Sequence, residues 1–197
     1  MGRGRRKRDM CIGKLRLPGG EVSWLLYDAK WMAAIGGRES ALLLLLCAAD
    51  GLAKAKYPEH KYPEYGRRGG IGKRFMRYVS EMVFPKIIVC KSLQIQVMGA
   101  KDYVPFEKVL WQYLRGEMVH RGSRVAVGEG TQQVLVDWKE DSRLIIGRHG
   151  DERVAMVGGN WVLEVLFRLV ESGVTGREPE ILVGHGAKLG SRPGTGM

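Results

Sequence analysis

Cysteine is scarce in this chain. Cys11, Cys47 and Cys90 are the only three, with no C-x-x-C spacing. An odd, scattered set excludes a disulfide framework and a zinc ribbon, and fits a reducing compartment. Cys47 lies inside an apolar run and reads as a small core residue. Long apolar runs are also missing. The strongest, residues 41–49, is far shorter than the roughly 20 residues a bilayer span needs, so no membrane segment is expected. The opening MGRGRRKRDM is basic, but the CIGKLRLPGG that follows lacks the apolar stretch used for export. Arg6 also stands where a myristoylation signal wants Ser or Thr. The expected location is therefore cytoplasmic. Histidine numbers four, and His60, His149 and His185 have no metal-ligand spacing with one another or with carboxylates. Neither a metal site nor a cofactor is expected.

Acidic residues are in deficit, 21 against 32 basic ones, leaving a net charge of +11 over 197 residues. Such an excess attracts polyanions, RNA and DNA above all. The alternative is a solvated basic surface with a basic tail. Apolar residues make up 45%, enough for one hydrophobic core in a chain of this length. Residues 1–20, with Arg3, Arg5, Arg6, Lys7 and Arg8 followed by Pro18-Gly19-Gly20, read as a flexible basic arm. Residues 174–197, rich in glycine and poor in large apolar groups, read as a loose tail. The domain between them is expected over residues 21–173.

Within it the pattern is helical first. Residues 21–35 place Val22, Leu25, Leu26, Ala29, Met32 and Ala33 at three- and four-residue intervals, and Gly36-Gly37 stops the run. Residues 39–56 are apolar nearly all round, as in a central helix. A polar loop at 57–70 precedes a third helix at 71–84, and residues 85–100 fit either short strands or helix. Asp102 and Pro105 mark the start of the clearest helix, with the stripe Phe106, Val109, Leu110, Tyr113, Leu114 and Met118, and Gly122 as its stop. Short strands follow at about 124–157, expected as a small antiparallel β-meander. Asn160 is expected to cap a last amphipathic helix, and Gly173 to end it. The expected class is mainly α, or α+β.

The clearest helix ends in LRGEMVHRG, residues 114–122, which sets Arg115 five positions before His120, with four residues between them. Metal-free RNA cleavage needs these two side-chain types. Imidazole takes the proton from a ribose 2′-OH or returns one to the leaving oxygen. Guanidinium, always charged and fork-shaped, holds the scissile phosphate and offsets charge that builds in the transition state. Residues five apart are about 140° apart around a straight α-helix, so both reach one substrate only if the helix loosens or a second subunit completes the site. Gly116 and Gly122 make loosening possible. A similar spacing, Arg143 to His149, falls among strands and turns and is set aside.

The order ALLLLLCAADGLAK, GIGKRFMRYV, VLWQYLRGEMVHRG, short strands and a closing helix resembles bacterial members of the HEPN superfamily over residues 22–172. The resemblance implies a HEPN-like helical bundle. It implies that Arg115 and His120 form a metal-independent endoribonuclease site shared across a homodimer, in a toxin or antiviral-defence setting. A cognate antitoxin or another protein is then a further partner. A non-catalytic RNA-binding or interaction module of the same fold is the alternative. Gly116 stands where the family usually carries a polar residue, Arg121 where the bacterial signature has Glu, and Gly122 where some toxins have Tyr.

Asp50 falls where the resemblance puts an acidic residue beside the site, to orient His120 or Arg115. Read from the residues alone, it is an ordinary partner for Lys54 one turn on. The loop GRRGGIGKR, residues 66–74, fails the Walker pattern, since Arg74 follows the lysine. A glycine-rich loop entering a helix N-terminus still suits a backbone phosphate. Arg67, Arg68, Lys73 and Arg74, with Arg121 beside the pair, are the candidate nucleic-acid contacts; a solvated turn is the other reading. Trp24, Trp31, Trp111 and Trp161 lie in helical segments and are expected in the core.

Overall fold

The computed structural model describes residues 20–95, 103–116, 118, 125–127, 133–138, 144–149 and 152–182. The arm at 1–19, the end of the tail at 183–197, and Asp102, His120, Arg121, Gly122 and Arg143 lie outside the described residues. Helix α1 is Glu21–Ala34, ended at Gly36 with φ 85°, a conformation that glycine adopts without penalty. Helix α2 is Arg38–Lys56. A 3₁₀ turn at Pro63–Gly66 leads to α3, Gly70–Val83. Strands β1, Gln94–Ile95, and β2, Val104–Pro105, pair antiparallel. Helix α4 begins at Phe106–Lys108 directly after Pro105 and continues as a π-helix over Val109–Arg115. The last helix, α5, is Gly159–Thr175.

Helix α2 is apolar nearly all round because it is the hub. It packs against α1, α3, α5 and the π segment. Leu42, Leu45, Leu46, Ala49 and Ala53 are wholly buried, and Phe75, Leu110, Leu114, Leu166 and Leu169 close round them in one core. Burying a leucine-sized side chain stabilises the fold by about 1.5–3 kcal/mol.

The sheet corrects the expected meander. Strands β3 (Val125–Val127), β4 (Gln133–Asp137), β5 (Leu144–His149) and β6 (Glu152–Gly158) lie in the order β3-β4-β6-β5. β3 and β5 pair antiparallel with their neighbours, but β4 and β6 run parallel, Asp137 opposite Gly158. The reason lies at the strand ends. β6 enters α5 without a linker, and β4 ends just before Trp138, whose carbonyl accepts from Arg38 Nη1 at 3.1 Å and Asn160 Nδ2 at 3.3 Å. Both strands are therefore tied to the helical layer at the same end, which aligns them in parallel and leaves β5 outside.

Other boundaries differ from the sequence reading. Asn160 sits inside the first turn of α5, and its amide serves Trp138 instead of capping the helix. Gly173 does not end α5. A Cβ there would lie 2.5 Å from Leu52 Cδ1 and 2.7 Å from the Tyr78 hydroxyl, so it is a close-approach glycine, and the stop is Gly176 with φ 70°. Part of the expected loose tail is fixed: Arg168 Nη1 holds the Glu180 carbonyl at 2.8 Å, and the Leu182 amide donates to the Ile87 carbonyl at 2.9 Å. Trp24 and Trp31 are exposed rather than in the core, because the buried side of α1 is built from Ser23, Leu26 and Ala29. The molecule is thus mainly helical with an added sheet. Among the described residues no helix is long and apolar enough to cross a membrane.

Candidate functional site

Asp50 projects from the C-terminal half of α2, between the buried Ala49 and Ala53. Arg115 ends the π segment. The hub position of α2 brings them together, and Arg115 Nη2 donates to Asp50 Oδ2 at 3.0 Å. Their side chains are 20% and 21% exposed, so the pair is neither a surface ion pair nor a sealed one. Asp50 pairs with Arg115 rather than with Lys54.

A platform of rings sets the guanidinium. It stacks on the Trp111 ring, 4.2 Å from the centroid, and Trp111 packs against Phe75 at 5.1 Å. Trp111 also lies so close to Gly72 that a Cβ there would come within 2.5 Å of Nε1, so α3 admits only glycine under the ring. The π winding suits this stack. The Gly116 amide reaches the Trp111 carbonyl five residues back, and π segments are frequent at functional positions. The sequence offers Gly116 as the point of loosening. Gly116 is instead right-handed helical, and the wide turn lies just upstream of it.

The pair is incompletely satisfied. Asp50 Oδ1 and Arg115 Nε are buried and have no hydrogen-bond partner among the described residues. An unpaired buried polar atom costs about 1–3 kcal/mol, so a spare acceptor and a spare donor on one ion pair are a reason to look for a ligand or a further side chain there. Cys47, one turn before Asp50, is half-buried. Burial pushes its thiol up, with Arg115 pulling it down and Asp50 pushing it up, so it is not poised as a nucleophile.

Arg67, Arg68 and Lys73 are exposed around the N-terminus of α3, which opens at Gly69 with φ 78°. Arg74 departs from that group. Its side chain is almost wholly buried beside Phe75 and Tyr78 on the packed face of α3, with Nη1 at 3.4 Å from Glu59 Oε1, so it is not presented to a polyanion. His149 ends β5.

Sequence reasoning missed two features. The Trp111 platform was visible as an aromatic four residues before the arginine on one helix. The other is a network on the far side of α3. Tyr57 donates a hydrogen bond to Glu81 Oε2, Lys56 Nζ sits 2.9 Å from the same oxygen, Arg77 Nε donates to Glu81 Oε1 at 2.8 Å, and Arg77 Nη1 donates to the Tyr65 hydroxyl at 3.1 Å. Burial pushes the Glu81 carboxyl up, but the hydrogen bonds from Tyr57, Lys56 and Arg77 outweigh it and hold it at about 2. A carboxyl held below its unfolded value stabilises the fold above the unfolded pKa and loses that contribution as pH falls toward the folded one. The midpoint of thermal unfolding should therefore fall between pH 5 and 2, and Glu81→Gln should flatten that fall; an unchanged slope would remove Glu81 from the acid response.

Among the described residues no three His, Cys, Asp or Glu side chains gather to hold a metal ion. No family model, no curated protein and no solved structure matches the chain.

Proposed function

We propose that this is a cytoplasmic, RNA-directed, HEPN-like protein that cuts RNA without a metal ion, as a homodimer of the toxin or defence kind. The single observation that carries the reading is the Asp50–Arg115 pair, stacked on Trp111 with one buried donor and one buried acceptor left over. Arg115 is the phosphate clamp, always charged and planar. Asp50 positions it. His120 is the general acid–base. It takes the 2′-OH proton as the 2′ oxygen attacks phosphorus. The bond from phosphorus to the 5′ oxygen breaks, that oxygen gains a proton, and a 2′,3′-cyclic phosphate remains. Arg67, Arg68 and Lys73 give backbone phosphates an exposed basic approach.

The test is incubation of the purified protein with single-stranded RNA, and with DNA of the same sequence, in EDTA. RNA alone should be cut, leaving 2′,3′-cyclic ends. DNA lacks the attacking hydroxyl, so equal cutting of DNA would overturn the reading. Binding without cutting would leave the non-catalytic RNA-binding module, which needs only the charge of +11.

A further inference from the structure

Arg74 stands apart from the other cations of its loop. Its side chain is 4% exposed, yet Nε has no hydrogen-bond partner among the described residues, and its ion pair is stretched. Nη1 lies 3.4 Å from Glu59 Oε1, where a charge-assisted bond to a carboxylate usually measures about 2.7–2.9 Å. A buried guanidinium held this loosely leaves much of its desolvation cost uncompensated. Glu59, by contrast, is 53% exposed. It sits on the turn after α2, whose backbone is pinned by the Lys61 and Tyr62 amides donating to the Pro58 carbonyl. Its carboxylate can therefore rotate into solvent while the turn stays in place.

The surroundings favour a stronger anion in its stead. Glu59 Oε2 would lie 3.4 Å from a Cβ at Gly66, so the carboxylate rests against the residue that precedes Arg67 and Arg68. Arg74 lies just past the first turn of α3, and helical side chains lean toward the N-terminus, which brings its guanidinium back toward the positive pole of the helix. The first turn of α3 has no acidic residue and no side-chain cap to offset that pole.

We propose that the place Glu59 now takes, between Gly66 and Arg74, is a binding site for a phosphate with a free end, a monoester or inorganic phosphate. Glu59 is its built-in competitor. Such a phosphate carries a charge of about −1.5 to −2 at pH 7, against −1 on a carboxylate, and offers three acceptor oxygens. Nε and Nη1 of Arg74 take one side of it, and Arg67 or Arg68 the other. A backbone diester has a ribose on each side and cannot follow the carboxylate into a position this enclosed. Only a terminal group fits. Arg74 therefore reads the end of a strand or a free anion, while the exposed Arg67, Arg68 and Lys73 attract the chain that carries it. The incoming phosphate sends Glu59 into solvent, because two anions exclude each other at one guanidinium.

This inference rests on the RNA-directed reading for its strand and does not need RNA to be cut. The probes are short 2′-O-methyl oligoribonucleotides, which lack the attacking hydroxyl, with a 5′-phosphate, a 3′-phosphate or neither. Fluorescence anisotropy at fixed ionic strength should show one phosphorylated end bound about tenfold tighter than the bare strand, the effect of one charge-assisted hydrogen bond. Glu59→Gln keeps the shape of the turn and removes the competing charge, so it should widen that preference by about threefold, as loss of a half-exposed ion pair implies. Arg74→Gln should abolish the preference and leave bare-strand binding unchanged. Circular dichroism shows whether that variant folds, and Glu59→Gln, a surface change, decides the matter if it does not. Inorganic phosphate that raises the unfolding midpoint, with no preference among the strands, assigns the site to the free anion. If no strand binds at all while phosphate still acts and Glu59→Gln enlarges its effect, the site stands and the RNA-directed reading falls. Strands bound equally with and without an end phosphate, together with no effect of inorganic phosphate, overturn the site alone. So does a preference that Glu59→Gln leaves unchanged or shrinks.

Discussion

His120→Ala should lower RNA cleavage by roughly 10²–10⁴-fold, the usual effect of losing a positioned proton-transfer group, while leaving RNA affinity nearly unchanged. The split follows from the division of labour in the proposed mechanism. Imidazole moves a proton as the 2′ oxygen attacks and contributes little to holding the ground state. Arg115 contributes to both, so Arg115→Ala should weaken affinity and rate together. Arg115→Lys should recover little of either. An ammonium cannot lie flat on Trp111 as the guanidinium does at 4.2 Å, and its three donors radiate from a single nitrogen instead of spreading along a planar fork that can hold Asp50 on one edge and a phosphate on another. Asp50→Asn keeps the shape and weakens the pair, so its loss should be smaller than that of Arg115→Ala. Single-turnover cleavage and filter binding on the four variants separate these outcomes. Cleavage by His120→Ala at the wild-type rate would remove His120 from the chemistry.

Gly70→Ala should destabilise the fold by about 3 kcal/mol, the upper end for forcing extra volume into a packed interior. A Cβ at this position would lie 2.5 Å from the Glu64 carbonyl oxygen and 2.6 Å from Tyr65 Cα, and backbone cannot swing aside as a side-chain tip can. For a chain of this size, that is a fall of about 10 °C in the unfolding midpoint. Gly69→Ala next to it should cost only about 1 kcal/mol, because φ 78° is strained for alanine but the space is open. Calorimetry of the two variants checks the ranking. A milder effect at 70 than at 69 would mean that the 3₁₀ turn moves freely against α3.

The contrast shows what the sequence made legible. Its glycine-rich loop reads as a place for phosphates, whereas Gly70 and Gly72 are there because Tyr65 and Trp111 come too close for any side chain. Local periodicity placed α1, α2 and α3 to within a residue or so, since a repeated apolar stripe is read directly from the chain. The same stripe put Trp24 and Trp31 off the buried side of α1, so expecting them in the core set residue type above position. Strand pairing was not legible: four alternating runs fix four strands but not which lie side by side, and contacts far apart in sequence at Trp138 decided that. The candidate site was half legible. Arg115 stood out through its spacing from His120, and Asp50 as an acid in an apolar helix. The π winding that lays Arg115 on Trp111 has no simple sequence mark.

The Trp138 carbonyl has a mechanical consequence. It takes one donor from α2 and one from α5, at the end where β4 and β6 finish together. The Trp138 end is a fastened end of the sheet, like the edge of a flag at its pole, and the His149–Glu152 pair lies at the opposite end of the β5–β6 ladder. Thermal opening should begin there, so amides at the His149–Glu152 end of the ladder exchange with solvent ahead of those at Val157. A load on the sheet therefore reaches the helical core through the Trp138 carbonyl and through the contacts of β3 and β4 with the π segment.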